Sequence, residues 1–364
     1  MKVAFYAPLK SPNHLTPSGD RTLARLLISC LADFCDEVSL VSEFRSLEKS
    51  GNEVTQEEII QAAAQEVTRI LNEFKSSGTT PDFWFTYHLY YKAPDLIGPA
   101  VSKVLGIPYV AAEASRAPKR AKGAWQRFHA KAEEAIDYAS IIFHLTKRDL
   151  ECLEQAKPAK QKLVYLPPFI DVQASKQPTH QKSGPVRLVT IAMMRSGDKL
   201  SSYQILADSL SRLTSSNWTL DIIGSGEAMD EVQRLFQTWS SKVKFHGLID
   251  DVSEKTRILE GSDIFVWPGI NEAFGFVYLE AQVAGLPVVA LNTAGVPEVV
   301  AHGETGLLAD EIDPFDYARQ LERLISAENL RGRLAANAAQ RVRERHSKSK
   351  AIQILKNNLE SLVL

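Results

Sequence analysis

What most constrains this chain is an alternation that runs twice along it: short apolar stretches of strand character, each followed by a longer stretch of helical period. Residues 3–7 read as a buried strand. Behind the start signal Ser18-Gly19-Asp20, the residues Leu23, Leu26, Leu27, Cys30, Leu31 and Phe34 then recur at spacings of three and four. Further strands are predicted at 37–41, 83–86, 109–112 and 141–145, with helices at 57–74 and 125–138 between them. Strands joined by helical crossovers lie parallel in one sheet. The pattern stops at Leu166-Pro167-Pro168 and a polar tract that ends at Pro185. It then restarts, with strands at 187–192, 219–223, 243–246, 264–267 and 287–291 and helices at 203–213 and 229–239.

Two doubly wound α/β domains with a cleft between them are therefore expected. The boundaries drawn are 1–168 for the first domain, 169–185 for a linker, 186–343 for the second domain, and 344–364 for a last helix that can cross back to the first. A length of 364 residues exceeds what one core usually organises, which agrees with two domains.

Composition narrows the function classes. At 45% hydrophobic and 24% charged residues, a disordered, collagen-like or disulfide-scaffold chain is excluded. The net charge of -2 gives no global field for nucleic acid or an anionic membrane, and no reader motif accompanies it, so nucleic acid is not an expected partner. Cys30, Cys35 and Cys152 form neither a C-x-x-C pair nor a metal quartet, which suits reduced thiols in the cytoplasm and no bound metal. The first apolar run is stopped by Pro8, too short for a signal-peptide core, and nothing approaches the roughly 20 apolar residues of a span. The expectation is a cytoplasmic protein, at most peripheral at the inner face of a membrane.

Ligands of open α/β sheets sit at the carboxyl ends of the strands, and four loops there stand out. Residues 193–199, Met-Met-Arg-Ser-Gly-Asp-Lys, place Arg195 and Lys199 four apart in a glycine-containing loop before a helix, either as fixed cations that with backbone N–H groups hold a pyrophosphate or as two ordinary cations of a solvated loop. Gly224-Ser225-Gly226-Glu227 opens the next helix, either as the wall of a nucleotide pocket or simply as a tight turn. In Glu272-Ala-Phe-Gly-Phe-Val-Tyr-Leu-Glu280, two acids eight apart straddle a loop–helix junction. They can accept hydrogen bonds from hydroxyls, cap and solvate the helix, or form the acid/base pair of a hydrolase. Asn292-Thr293-Ala294-Gly295-Val296-Pro297-Glu298 is a turn of small residues, either to let backbone approach a phosphate or simply as a tight strand-end turn.

In order, these elements resemble the retaining, GT-B-fold glycosyltransferases of family 4, the glycosyl transferases group 1. Glu272 to Glu280 stands as their E-x7-E element. It is followed at the usual distances by Ala284-Gly285-Leu286-Pro287-Val288-Val289-Ala290, Gly295-Val296-Pro297-Glu298 and Gly303-Glu304-Thr305-Gly306-Leu307-Leu308. The resemblance implies two Rossmann-like domains facing a central cleft. It also implies that Arg195 and Lys199 hold a donor diphosphate, that Glu280 binds ribose hydroxyls, and that Glu272 with the N–H groups of Phe274 and Gly275 holds the transferred sugar. Gly19 would approach the phosphate from the first domain; Gly224, Phe276 and Thr293 complete the donor-side candidates. No metal or other cofactor is required, and a UDP-sugar is expected before a GDP-sugar.

Three departures bear on this. The cations are four rather than five apart and Leu200 follows them. The first-domain loop reads Pro-Ser-Gly-Asp, leaving Gly19 as its flexible residue. Where many members carry a histidine after a Gly-Ile-Pro turn, Gly106-Ile107-Pro108 leads here to Glu113, Ala114 and Ser115. Glu113, Ser115 and His88 are the acceptor-side candidates, each also readable as a structural hydrogen bond. Arg116, Lys119, Arg120, Lys122, Trp125, Arg127 and Phe128 belong to an acid-free stretch of six basic residues in sixteen. It reads either as a patch for an anionic membrane or phosphorylated lipid carrier, or as a basic helix start with two core aromatics.

The resulting expectation is a retaining transfer of a sugar from a nucleotide sugar to a hydroxyl of a lipid or saccharide acceptor. A sugar-nucleotide epimerase or sugar phosphorylase of the same fold, or a non-catalytic nucleotide-sugar-binding protein, stands against it.

Overall fold

Near-continuous apolar runs such as Phe83-Trp84-Phe85 suit strands buried on both faces, and among the described residues they build two all-parallel sheets of six strands each. The computed structural model describes residues 1–172, 184–310 and 312–362. The first sheet contains β1 (Lys2–Tyr6), β2 (Glu37–Ser42), β3 (Phe83–Leu89), β4 (Tyr109–Ala114), β5 (Ile141–His144) and β6 (Lys162–Tyr165), in the order β2-β1-β3-β4-β5-β6. The second contains β7 (Val186–Ile191), β8 (Trp218–Ile223), β9 (Val243–Gly247), β10 (Ile264–Val266), β11 (Val288–Leu291) and β12 (Gly306–Ala309), in the order β12-β11-β10-β7-β8-β9.

Strand order decides where each sheet can hold a ligand. In the first, Val3 of β1 pairs with Val38 on one side and Phe83 on the other, so the connections diverge between β1 and β3. In the second, Leu188 of β7 pairs with Leu220 and Ile264, so they diverge between β7 and β10. The loops that leave the carboxyl ends of such a strand pair splay to opposite faces and open a crevice. Phe85 stacks between Phe5 (5.8 Å) and Phe143 (6.3 Å) in the first core; Tyr203 meets Trp267 edge-on at 4.9 Å in the second.

The chain divides into two compact units, Met1–Pro167 with Lys348–Leu364, and Pro168–Ser347. The drawn boundaries shift accordingly. Residues 168–172 are not linker: Phe169 is buried, Ile170 donates to the His346 carbonyl at 2.8 Å and bridges Ser347. The rest of the expected linker falls mainly on 173–183, outside the described residues. The helix Lys348–Leu359 packs on the helix Gly19–Leu31 within the first unit.

Two strands escaped the sequence pattern. β6 is a half-exposed edge strand, and β12, Gly-Leu-Leu-Ala, lacks the β-branched residues that mark strands. The helix Asp198–Leu210 begins earlier than predicted and takes Lys199 out of the loop into its first turn.

Candidate functional site

At the crevice of the second sheet, the loop after β7 and the loop after β10 bring together the residues singled out by spacing. Lys199 Nζ bonds Glu272 Oε1 and lies 5.5 Å over the Trp267 ring, while Trp267 Nε1 donates to the same carboxylate oxygen at 3.1 Å. The Glu272 loop is held from several sides. The Tyr278 hydroxyl donates to the Trp267 carbonyl at 3.1 Å, Ile270 N donates to Ser202 Oγ at 3.0 Å, and Gly295 N donates to the Glu272 carbonyl at 3.2 Å. Gly295 is required there, because a Cβ would overlap the Ala273 carbonyl. Asn271 and Ala294 sit at φ 54 and 49, left-handed conformations that cost about 1–3 kcal/mol each and persist only where surroundings enforce them.

Gly275, at φ 79, caps the helix Phe276–Val283, whose first N–H groups are those a helix leaves unpaired. Phe274 is buried edge-on against Phe276 at 5.1 Å, and Thr293 Oγ1 is buried with no hydrogen-bond partner. Glu280, one turn along that helix, accepts from Lys255 Nζ at 2.9 Å. Lys255 belongs to the helix Val252–Glu260 and no local motif marks it. Gly224 and Gly226 have a structural reason of their own: their Cβ atoms would overlap the Ala192 and Met194 carbonyls, so they let the two loops touch. Arg195 is exposed, and Glu227 fixes its loop by accepting from Ser196 N at 3.2 Å. The arrangement offers two cations, the unpaired first amides of a helix and two acids with exchangeable partners, a set suited to a polyanion joined to a polyol.

At the crevice of the first sheet stands a different cluster. His88 and Glu113 lie abreast on β3 and β4, between the pairs Tyr87↔Ala112 and Leu89↔Ala114, at φ 59 and 56. His88 Nδ1 is 3.1 Å from Asp20 Oδ1 and 3.9 Å from Glu113 Oε1. Despite the opposing effect of burial, Glu113 and Asp20 push the imidazole up to about 9, so it is cationic at neutral pH. Burial raises Glu113, partly offset by the His88 charge, whereas the His88 hydrogen bond and charge outweigh burial to lower Asp20. Ser115 Oγ and Thr146 Oγ1 each donate to Asp149 at 2.6 Å, and Asp149 adds its charge to the cluster. The structure thus joins His88 with Glu113, gives Ser115 to Asp149, and adds Asp20 and Asp149, which spacing did not reveal. Gly19 opens its helix behind the N-cap Ser18, so it is a helical residue rather than a free hinge.

The basic stretch is not the aromatic membrane patch that its composition allowed. Trp125 and Phe128 are buried, and Arg116 is buried between Glu133 and Asp137. Lys119, Arg120, Lys122 and Arg127 remain exposed, with Arg127 paired to Glu57. The reason is amphipathic: Trp125 and Phe128 share the inward face at the start of the helix Gln126–Tyr138. No helix among the described residues is long and apolar enough to cross a membrane, and none of their His, Cys, Asp or Glu groups is arranged to hold a metal.

Comparison with known proteins bears on the second unit first. Residues 185–327 match the family model Glycosyl transferases group 1. The chain is 35% identical to the capsular polysaccharide biosynthesis glycosyltransferase CapM of Staphylococcus aureus over 149 residues, 40% of this chain and 37% of that one. It is 28% identical to the D-inositol 3-phosphate glycosyltransferase of Corynebacterium jeikeium over 219 residues, 55% of this chain and 52% of that one. The matches thus span roughly a third to a half of those relatives' lengths. In three dimensions the chain resembles Anabaena HepE in complex with UDP, with a TM-score of 0.75 at 16% identity, covering 99% of this chain and 100% of that one.

Proposed function

We propose, from the match of residues 185–327 to the family model Glycosyl transferases group 1 and from the GT-B fold, that this chain moves a sugar from a UDP-sugar to an acceptor hydroxyl. The observation that carries this reading is the Lys199–Glu272–Trp267 cluster in the β7/β10 crevice. Lysine and carboxylate neutralise each other in the free protein, and a sugar diphosphate matches both: phosphate oxygens suit Lys199 and the exposed Arg195, sugar hydroxyls suit Glu272. Glu280 exchanges Lys255 for the ribose hydroxyls. HepE is a neighbour in fold that holds UDP, and its complex with UDP-glucose has a TM-score of 0.70, which favours a uridine donor here.

In the reaction proposed, the bond from the anomeric carbon to the diphosphate oxygen breaks as the acceptor oxygen bonds to the same face. The acceptor proton passes to a departing phosphate oxygen, and configuration is retained. Lys199, Arg195 and the first amides of the helix Phe276–Val283 meet the charge that grows on the leaving group, the role a metal ion plays in other transferases. Thermal shift with UDP-, GDP- and ADP-sugars tests the donor assignment. UDP-sugars are expected to raise the melting temperature of the wild type and not of a Lys199→Ala variant. No shift with any nucleotide sugar overturns it.

A further inference from the structure

Trp267 is fully buried, yet its one polar side-chain atom is given to a carboxylate in the β7/β10 crevice. Trp84, equally buried, gives its indole N–H to a neutral hydroxyl of its own core, Thr86 Oγ1 at 2.8 Å. A phenylalanine at 267 would fill core space with no polar atom to satisfy, so packing alone does not call for the indole N–H. The ring is also fixed. The backbone N–H of Trp267 donates to the Val289 carbonyl at 3.1 Å, its carbonyl accepts from the Tyr278 hydroxyl at 3.1 Å, and Tyr203 meets its ring edge-on at 4.9 Å. Lys199, the second donor to Glu272 Oε1, sits instead at the end of a flexible stem, with 32% of its side chain exposed. Of two donors on one oxygen, one is held in place and the other can leave. Among the described residues, Glu272 Oε2 accepts no hydrogen bond.

We infer that Trp267 is a positioning residue for the transferred sugar: its indole N–H keeps hold of Glu272 Oε1 when Lys199 moves from the carboxylate to the diphosphate, and so keeps Oε2 in place for a sugar hydroxyl. The inference rests on the transferase reading above, since the diphosphate is what draws the lysine away. Without the indole, Glu272 would lose its last side-chain donor as the sugar arrives, and its side chain would regain the rotamer freedom that binding must then remove. With it, the carboxylate is oriented beforehand by a charge-assisted bond from a group that does not move. Trp267 reaches the ligand through Glu272 alone. It therefore changes what the sugar adds to the affinity of UDP and leaves the affinity for UDP itself.

Calorimetric titration of the full chain with UDP, UDP-glucose, UDP-galactose and UDP-N-acetylglucosamine tests this without turnover. The readout is the affinity for the tightest-binding UDP-sugar divided by that for UDP. Trp267→Phe keeps an aromatic ring beside Lys199 and Tyr203 and lacks the N–H, and is expected to lower that ratio about tenfold with UDP binding unchanged. Ser209→Ala, on the same helix as Lys199, removes a buried hydroxyl that donates to the Ile205 carbonyl at 2.7 Å, and is expected to leave the ratio as it is. A ratio in Trp267→Phe within about twofold of the wild type overturns the inference, whether UDP and UDP-sugar binding both persist or both fall together as a merely structural role requires. Should Trp267→Phe unfold, benzothienylalanine at position 267, which puts sulfur in place of the N–H in a ring of nearly the same shape, reads the same ratio. The failures are distinguishable: a chain that binds UDP-sugars and keeps its ratio without the N–H keeps the transferase reading and loses this one, whereas a wild type that binds no UDP-sugar loses both.

Discussion

In the crevice of the second sheet the two acids of the loop–helix segment each have a lysine: Glu272 meets Lys199 and Glu280 meets Lys255. In that of the first, Asp20, Glu113 and Asp149 share one imidazole, and one carboxyl oxygen is left over. The sheets have the same plan and the same reversal in the direction of their connections, so the difference lies in the residues at and just beyond the strand ends. Paired acids suit a ligand that brings both signs of partner, anionic at one end and hydroxylic at the other. Acids gathered on one imidazole depend instead on its proton.

The largest effect should fall on the paired side. Lys199→Ala removes a cation from the proposed leaving group and leaves Glu272 with the Trp267 indole alone, so transfer should drop about 10²- to 10³-fold. Circular dichroism and the melting curve should change little, because Lys199 is partly exposed and its helix keeps its other contacts. A variant that turns over within tenfold of the wild type would place the diphosphate elsewhere.

The two sides were not equally legible in the sequence. Arg195, Lys199, Glu272 and Glu280 lie within two short segments, and spacing along one loop and one helix fixes which side chains can share a crevice. Asp20, His88, Glu113 and Asp149 arrive from four separate strand ends, and only strand order makes them neighbours. His88 and Glu113 were found as single polar residues at strand ends, but their left-handed backbones leave no mark in residue type, since neither is a glycine. Lys255 was missed for the same non-local reason. The basic stretch misled because composition counts charges and cannot say that Trp125 and Phe128 turn inward.

Titration separates the two units next. His88 in the first is held above the ordinary histidine value of 6.5, at about 9, so the folded chain binds more protons than the unfolded one between those values. Its contribution is complete below pH 6.5 and is lost as pH rises through about 9. His346 in the second unit is buried, with Nδ1 on the Pro168 carbonyl at 2.7 Å and Nε2 unpartnered. Burial, with Arg341 and Arg345 nearby, lowers it to about 4 against the opposing pull of the Pro168 hydrogen bond and, more weakly, of Glu298. Its contribution is present above pH 6.5 and is lost as pH falls through about 4. Each arm is worth up to about 3 kcal/mol. Melting temperature against pH should therefore fall on both sides of neutrality, with His88→Gln flattening the alkaline arm and His346→Gln the acid one. An alkaline arm unchanged in His88→Gln would mean that Asp20 and Glu113 do not hold the imidazolium.

The smallest effect probes the lysine that spacing missed. The Lys255–Glu280 pair is about three-quarters buried, at 25% and 26% side-chain exposure, and a partly exposed pair of this kind is worth about 1 kcal/mol. If ribose takes Glu280 from Lys255, binding a nucleotide must first give up that pair. Lys255→Met keeps the apolar stem of the side chain and removes the competitor, so UDP should bind up to about fivefold more tightly by calorimetry. Glu280→Gln should bind it more weakly. Weaker binding in Lys255→Met would reverse the role of this residue: the ammonium would then be a donor to the nucleotide itself, and the second crevice would carry a third cation for its ligand rather than two acids waiting to exchange partners.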